Sequence, residues 1–141
     1  VQHWSARSLN DKFQTLWGGW AVTTEANAKQ PQSFFFAGDT AYSKDFEDIG
    51  KRFAPFDLAL LPIGAYAPRW FMQAQHVDPG EAVKIHQNVH ARRSIAIHWG
   101  TFELADESLD EPPKALAEEL KKADIPATDF VALEHGQMVR F

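Results

Sequence analysis

Two apolar runs in this chain each hand a metal-competent side chain to a glycine-containing turn. That arrangement constrains the fold more than any other feature. Ile95-Ala96-Ile97 leads into His98-Trp99-Gly100, and Phe34-Phe35-Phe36-Ala37 leads into Gly38-Asp39-Thr40. A third run, Asp57-Leu58-Ala59-Leu60-Leu61-Pro62, is apolar throughout its middle, the pattern of a strand covered on both faces. Short apolar strands of this kind, separated by stretches with helical periodicity, predict an α/β layer structure.

The stretches between them support that reading. Phe46, Ile49 and Phe53 form a helical stripe, with Ser43 as the expected N-cap and Pro55 as the stop. Asp78-Pro79-Gly80-Glu81 is a helix start: Asp caps, Pro takes the first helical position, and Glu lies three residues on. Ala82, Ile85, His86 and Val89 then share one face, which makes His86 a partly buried core residue. An acidic loop over 106–113 precedes a helix over 113–123, with Leu116 and Leu120 inward and Lys121-Lys122 in its last turn. Residues 16–22 read as a strand whose Gly18-Gly19 pair marks a bulge or a close backbone approach. A polar turn over 24–33, including Pro31, makes this strand and 34–37 a hairpin. Two final strands are expected over 130–133 and 138–141, around the turn His135-Gly136-Gln137. The predicted order is β-β-α-β-α-β-α-β-β. Residues 1–13, with His3, Trp4, Arg7 and Asp11, read as a loop after a strand end. A long loop over 63–77 carries Tyr66, Arg69, Trp70, Phe71, Met72 and His76. Long aromatic loops at strand ends are usually functional.

Composition removes several function classes. With no cysteine in 141 residues, disulfides, thiolate metal sites and thiol catalysis are excluded, so any metal must rest on His and carboxylate ligands. A formal net charge of −5 argues against nucleic acid as a partner. No apolar run approaches the roughly 20 residues of a membrane span, and no signal-peptide pattern opens the chain. A cytoplasmic or membrane-peripheral location is the expectation. No P-loop, dinucleotide fingerprint or Gly-x-Ser-x-Gly elbow occurs.

His3, Asp39 and His98 are the candidates for chemistry. Each alone also reads as a structural residue. An Asp in a Gly-Asp-Thr turn often bonds backbone amides, and a histidine at a strand end is often simply hydrogen-bonded. Together they fit a metal site, because strand C-termini in layered α/β folds form one rim where ligands collect. His76 reads either as a residue near the helix cap or as a substrate-positioning group. Tyr66, Arg69, Trp70 and Phe71 could line a pocket for an apolar or phosphorylated ligand, or pack beneath their own loop. His90 and His135 read as exposed.

Five ordered segments carry a resemblance: Gln2-His3-Trp4-Ser5-Ala6-Arg7, Phe36-Ala37-Gly38-Asp39-Thr40, Leu61-Pro62-Ile63-Gly64-Ala65-Tyr66, Gln75-His76-Val77-Asp78-Pro79 and Ile97-His98-Trp99-Gly100-Thr101-Phe102. They resemble the metallo-β-lactamase superfamily, in the branch of N-acylphosphatidylethanolamine-hydrolysing phospholipase D and its RomA-like bacterial homologues. The resemblance implies an αβ/βα sandwich with a two-zinc site on one edge. It implies that His3 binds the first metal, Asp39 bridges both, and His98 binds the second. It places His76 near the reacting phosphate, beside substrate contacts from Tyr66 and Trp70, and makes Asp39 and His76 the catalytic pair. A metal-bound hydroxide attacking phosphorus would cleave a phosphodiester, the lipid bond in the phospholipase.

The family's His-x-His-x-Asp-His motif does not occur in this chain. The chain starts at Val1, in what reads as a strand end. The expectation is therefore the C-terminal αβ half of the sandwich, one partial domain over residues 1–141, with a mixed sheet and helices on one face. Its natural partner would be the missing N-terminal half. Each metal would keep one histidine and the shared Asp39, so the chain alone should bind zinc weakly or not at all and be inactive. A half-sandwich exposes an apolar sheet face, which predicts a homodimer. Other readings are a lactonase of the same superfamily and a non-catalytic α/β binding or assembly module.

Overall fold

A computed structural model describes residues 1–5, 10, 12–25, 27, 29 and 32–140. Arg7, Asp11, Pro31 and Phe141, which figured in the sequence reading, lie outside the described residues. The elements run β1 (Trp20–Thr23), β2 (Ser33–Phe36), α1 (Asp45–Phe53), β3 (Leu58–Pro62), α2 (Arg69–Met72), α3 (Pro79–Asn88), β4 (Ser94–Ile97), α4 (Glu111–Lys122) and β5 (Phe130–Val131). They form one mixed sheet in the order β1-β2-β3-β4-β5. β1 pairs antiparallel with β2, as the hairpin reading requires, and every other pairing is parallel.

Register decides which side chains are covered. Phe35 pairs with Ala59, Ala59 with Ser94, and Ser94 with Phe130, and all four are buried. Helix α3 lies against β3 and is flanked by α1 and α4, so this face of the sheet is the helical one. Its core is built on rings: Phe35 sits 5.4 Å from Phe56 and 6.3 Å edge-on from Phe46. The alternate residues Phe34, Phe36, Leu58, Leu60, Ile95 and Ile97 point to the opposite face and are only partly buried. Register places Trp20 and Val22 on that same face, 69% and 47% exposed. The apolar run of β3 had implied cover on both faces; among the described residues one face has it.

Helix α3 begins as the sequence indicates. The Asp78 carboxylate accepts from the Glu81 amide at 2.8 Å, and Glu81 accepts in return from the Asp78 amide. Ala82, Ile85, His86 and Val89 are all buried, and His86 bonds Ser94 Oγ at 2.8 Å. The close approach at the Gly pair is real: a Cβ on Gly19 would lie 2.6 Å from the Phe36 carbonyl oxygen. No helix among the described residues is long and apolar enough to cross a membrane.

Four local expectations are corrected. The cap of α1 is Lys44, not Ser43, because the Ser43 hydroxyl is taken by the Asp45 carboxylate at 2.9 Å. Phe53 leaves the inner stripe and lies 46% exposed beneath the Arg52 guanidinium. The 63–77 loop contains α2, giving two helices in succession before β4. Residues 138–140 form no strand: Met138 is 83% exposed, and β5 pairs only with β4, so the expected final hairpin has no ladder.

Two substitutions test this packing. Phe35→Ala should lower unfolding free energy by about 3–5 kcal/mol, the usual cost of emptying a buried aromatic position. Asp78→Ala should lower it by about 1 kcal/mol through loss of the cap. Denaturant melts of both variants measure these losses.

Candidate metal centre

The parallel pairing of β2, β3 and β4 carries their C-terminal ends to one rim. Asp39 follows β2, His98 follows β4 directly, and His76 closes the connection that leaves β3. His98 adopts a left-handed backbone, φ +60°. This is an uncommon conformation for a residue with a Cβ, and such residues cluster at functional sites. Its neighbour across the rim must be small: a Cβ on Gly64 would lie 2.2 Å from the His98 carbonyl oxygen.

Thr40 and Ala41 gather the remaining pieces. The Gln2 amide donates to Thr40 Oγ1 at 3.1 Å, and the Ala41 amide donates to the Gln2 carbonyl at 2.8 Å. The Val77 amide donates to the Thr40 carbonyl at 2.8 Å. The segment next to Asp39 thereby pins both the start of the chain, with His3, and the segment bearing His76.

The side chains converge. His98 Nε2 lies 3.3 Å from Asp39 Oδ1. The His76 ring stands between the other two imidazoles, its centroid 5.0 Å from His3 and 5.1 Å from His98. Asp39, His76 and His98 each offer a ligand atom, and these atoms lie within 4.8 Å of one another. His3 Nδ1 lies 2.8 Å from the Gln75 carbonyl oxygen. A carbonyl only accepts, so Nδ1 carries the proton and Nε2 keeps its lone pair, the arrangement that orients metal-binding histidines. Among the described residues, Nδ1 of His76 and Nδ1 of His98 are buried without a hydrogen-bond partner. Two orphaned imidazole nitrogens beside a carboxylate fit a divalent cation.

Electrostatics separates the roles. The hydrogen bond from His98 holds the Asp39 carboxyl below its ordinary value, with burial opposing. The same bond raises His98, again against burial. Burial, helped by the neighbouring His98 and His3, pushes His76 down to about 4. His76 is therefore a neutral imidazole at physiological pH.

Tyr66 and Trp70 are not drawn into this cluster in the same way. The Tyr66 ring is buried, and its hydroxyl donates to Glu111 at 2.7 Å; burial and that carboxylate raise its pKa. Trp70 is 78% exposed on α2, edge-on to Phe71. Arg69 faces inward rather than to a ligand: it pairs with Asp78 at 3.3 Å and Glu81 at 2.8 Å, and donates to the His76 carbonyl at 2.8 Å. Beyond His98, a cavity of about 590 Å³ is lined by Trp99, Phe102, Leu104, Leu109 and Leu133, with Glu107 on its wall. Sequence reasoning passed over this cavity and over Glu107, because an aperiodic acidic loop has no pattern that marks one of its carboxylates.

Comparison with known protein families matches residues 1–99 to the Beta-lactamase superfamily domain. The chain belongs to the beta-lactamase superfamily. Superfamily relatives include the N-acyl-phosphatidylethanolamine-hydrolyzing phospholipase D 1 of Caenorhabditis elegans, 43% identical over 141 residues, covering 98% of this chain and 38% of that protein. The mitochondrial N-acyl-phosphatidylethanolamine-hydrolyzing phospholipase D of Saccharomyces cerevisiae is 42% identical over 118 residues, covering 82% of this chain and 24% of that protein. The chain thus spans well under half the length of either relative. Among solved structures, Igni18, a metallo hydrolase from Ignicoccus hospitalis, aligns with a TM-score of 0.56 at 20% identity, over 86% of this chain and 52% of that one. This superfamily fold is the mixed sheet with helices described above.

The pKa shifts imply a pH signature. Asp39, lowered from 3.8, adds stability that is present above that value and is lost as pH falls through its folded value. His98, raised from 6.5, adds stability that is present below that value and is lost as pH climbs through its folded value. The pair is at full strength between the two ordinary values. His76, lowered from 6.5 to about 4, acts oppositely and disfavours the fold as pH drops across that interval. In Asp39→Asn, NMR titration should find His98 at or below the ordinary imidazole value. A His98 that stayed raised would refute the pairing.

Proposed function

We propose that this chain forms part of a metal-dependent hydrolase that cleaves phosphodiester bonds in amphiphilic substrates. The observation that carries the proposal is the convergence of Asp39, His76 and His98, with His3 beside them, on one rim of the sheet. The phospholipase D names of two relatives support the bond type. The apolar cavity bordered by His98 supports a substrate with an aliphatic part.

Zinc is the proposed ion, and bound there it would supply Lewis-acid stabilisation of charge on a phosphoryl oxygen and lower the pKa of water. The chain's own residues do the rest. Asp39 supplies the negative charge at the centre of the cluster and fixes the His98 ring by accepting a hydrogen bond from its Nε2. His3, held by the Gln75 carbonyl, presents Nε2 as a donor atom. His76 is unprotonated above about pH 4, so it can take a proton or hold a phosphoryl group in place. Tyr66, through Glu111, supports the loop wall, and Trp70 is offered as a contact for the apolar part of a substrate only on its 78% exposure.

Catalytic metal sites usually have three protein ligands per ion. The cluster offers three donors close enough for one ion, with His3 alongside, so a two-metal centre needs ligands from outside these residues. We propose that they come from the N-terminal half of the complete domain, and that this half also covers Phe34, Phe36, Leu60 and Ile95. The 141-residue chain should therefore bind zinc weakly and lack phosphodiesterase activity, and it should pair as a homodimer through the open sheet face. Light scattering coupled to size-exclusion chromatography tests the last point, and a monodisperse monomer overturns it. In a protein that carries the complete domain, Asp39→Asn and His98→Ala should each abolish turnover of N-acylated phosphatidylethanolamine while leaving the fold intact. Retained turnover refutes the site.

A further inference from the structure

One carboxylate outside the metal cluster is committed to three consecutive backbone amides. Glu107 accepts from Ala65 and Tyr66 through Oε1 and from Ala67 through Oε2, the last at 2.9 Å. The Asp106 amide donates back to the Ala67 carbonyl at 3.2 Å, closing the contact from both sides. Charge-assisted bonds of this kind are about twice as strong as neutral ones, and here three act on one short turn. That turn needs holding, because Ala65 has φ +62°, a left-handed conformation for a residue with a Cβ.

The clasped turn touches both histidines of the cluster by separate routes. On one side is Gly64, packed so closely on the His98 carbonyl that no side chain fits. The Ile63 amide also donates to the Ile97 carbonyl at 3.1 Å, one residue before His98. On the other side, the Arg69 guanidinium reaches both the Tyr66 carbonyl at 3.5 Å and the His76 carbonyl at 2.8 Å. Its remaining contacts, Asp78 and Glu81, anchor it to the cap of α3. Glu107 is also nine residues beyond His98 in the chain, so its grip on 65–67 closes the 98–107 segment over the turn. The left-handed Ala65 thus directly follows the glycine that packs on the left-handed His98, and Glu107 holds the Ala65 amide.

We infer that Glu107 is a positioning residue for the metal cluster: its clasp on residues 65–67 sets the His98 ring through Gly64 and the His76 ring through Arg69. The inference rests on the proposed metal site for its consequence but not for its geometry. It predicts that releasing the clasp separates the two imidazoles and weakens metal binding without emptying the aromatic core.

The test compares the chain with Glu107→Ala, Glu107→Gln and the exposed α4 control Glu118→Gln. Three readouts are taken below the melting temperature of each: hydrogen exchange of the amides at 65–67, NMR contacts between the His76 and His98 ring protons, and the midpoint of a zinc chloride titration. Glu107→Ala should expose the three amides, lose the ring contact and raise the zinc midpoint by roughly tenfold or more, the usual cost of disturbing the outer shell of a metal site. Contacts between Phe35 and Phe56 should persist. Glu107→Gln should fall between, because its carbonyl oxygen still accepts while its amide group meets an N–H it cannot bond. The control should change nothing. Exposed amides with an unchanged ring contact and zinc midpoint would overturn the inference and leave Glu107 as a loop residue only. If Glu107→Ala does not fold, Glu107→Gln decides on the same readouts. If the unmodified chain binds no zinc, as an incomplete ligand set allows, the amide exchange and the ring contact decide the positioning role, while the metal site is judged by turnover in the protein that carries the complete domain.

Discussion

Parallel pairing of β2, β3 and β4 is the constraint on which the structure depends. It sets Phe35, Ala59 and Ser94 on one face in a single row, and it brings the C-terminal ends of three strands to the same edge. The first consequence creates the aromatic core beneath α1 and α3. The second puts Asp39, His76 and His98 close together although they are scattered over sixty residues of chain. A one-residue slip of β4 would turn Ser94 and Ala96 to the open face and carry His98 away from Asp39.

The rim is held by backbone hydrogen bonds as much as by side chains. Thr40 and Ala41 tie down the chain start and the end of the β3–α3 connection, while Arg69 secures His76 through its carbonyl. Two ring nitrogens are already engaged: His98 Nε2 lies against the Asp39 carboxylate, and His3 Nδ1 bonds the Gln75 carbonyl, which directs its other nitrogen outward. A site built in this way is pre-formed before any ligand arrives, and the two buried, unpartnered Nδ1 atoms are the cost of that readiness.

Burial distributes the protonation states. Asp39 and His98 stabilise each other's charged forms. His76 stands between two other imidazoles in a drier environment and stays neutral. His76 keeps its lone pair, whereas His98 would give up its proton on ligating a metal, because only the neutral imidazole binds one. The open sheet face has a different logic: the same alternation that fills the helical side leaves Phe34, Phe36, Leu60 and Ile95 only partly buried among the described residues.

The α/β class, the β1–β2 hairpin, the capping box at Asp78 and the inward face of α3 were legible in the sequence because each rests on local periodicity or on a side chain bonding its own backbone. The motif histidines and Asp39 were legible because strand ends announce themselves as apolar runs broken by polar residues. The missing last strand and the outward turn of Phe53 were not, since pairing partners and exposure are settled by distant segments. Nor was the identity of the residues that hold the site. Gly64 against His98, Arg69 on the His76 carbonyl and Glu107 on three amides are contacts between segments that share no pattern, and only the folded register brings them within reach. The sequence by itself determined which strands exist and which polar groups end them. The tertiary structure decided which of those groups meet, because meeting depends on how neighbouring strands align rather than on what any one of them contains.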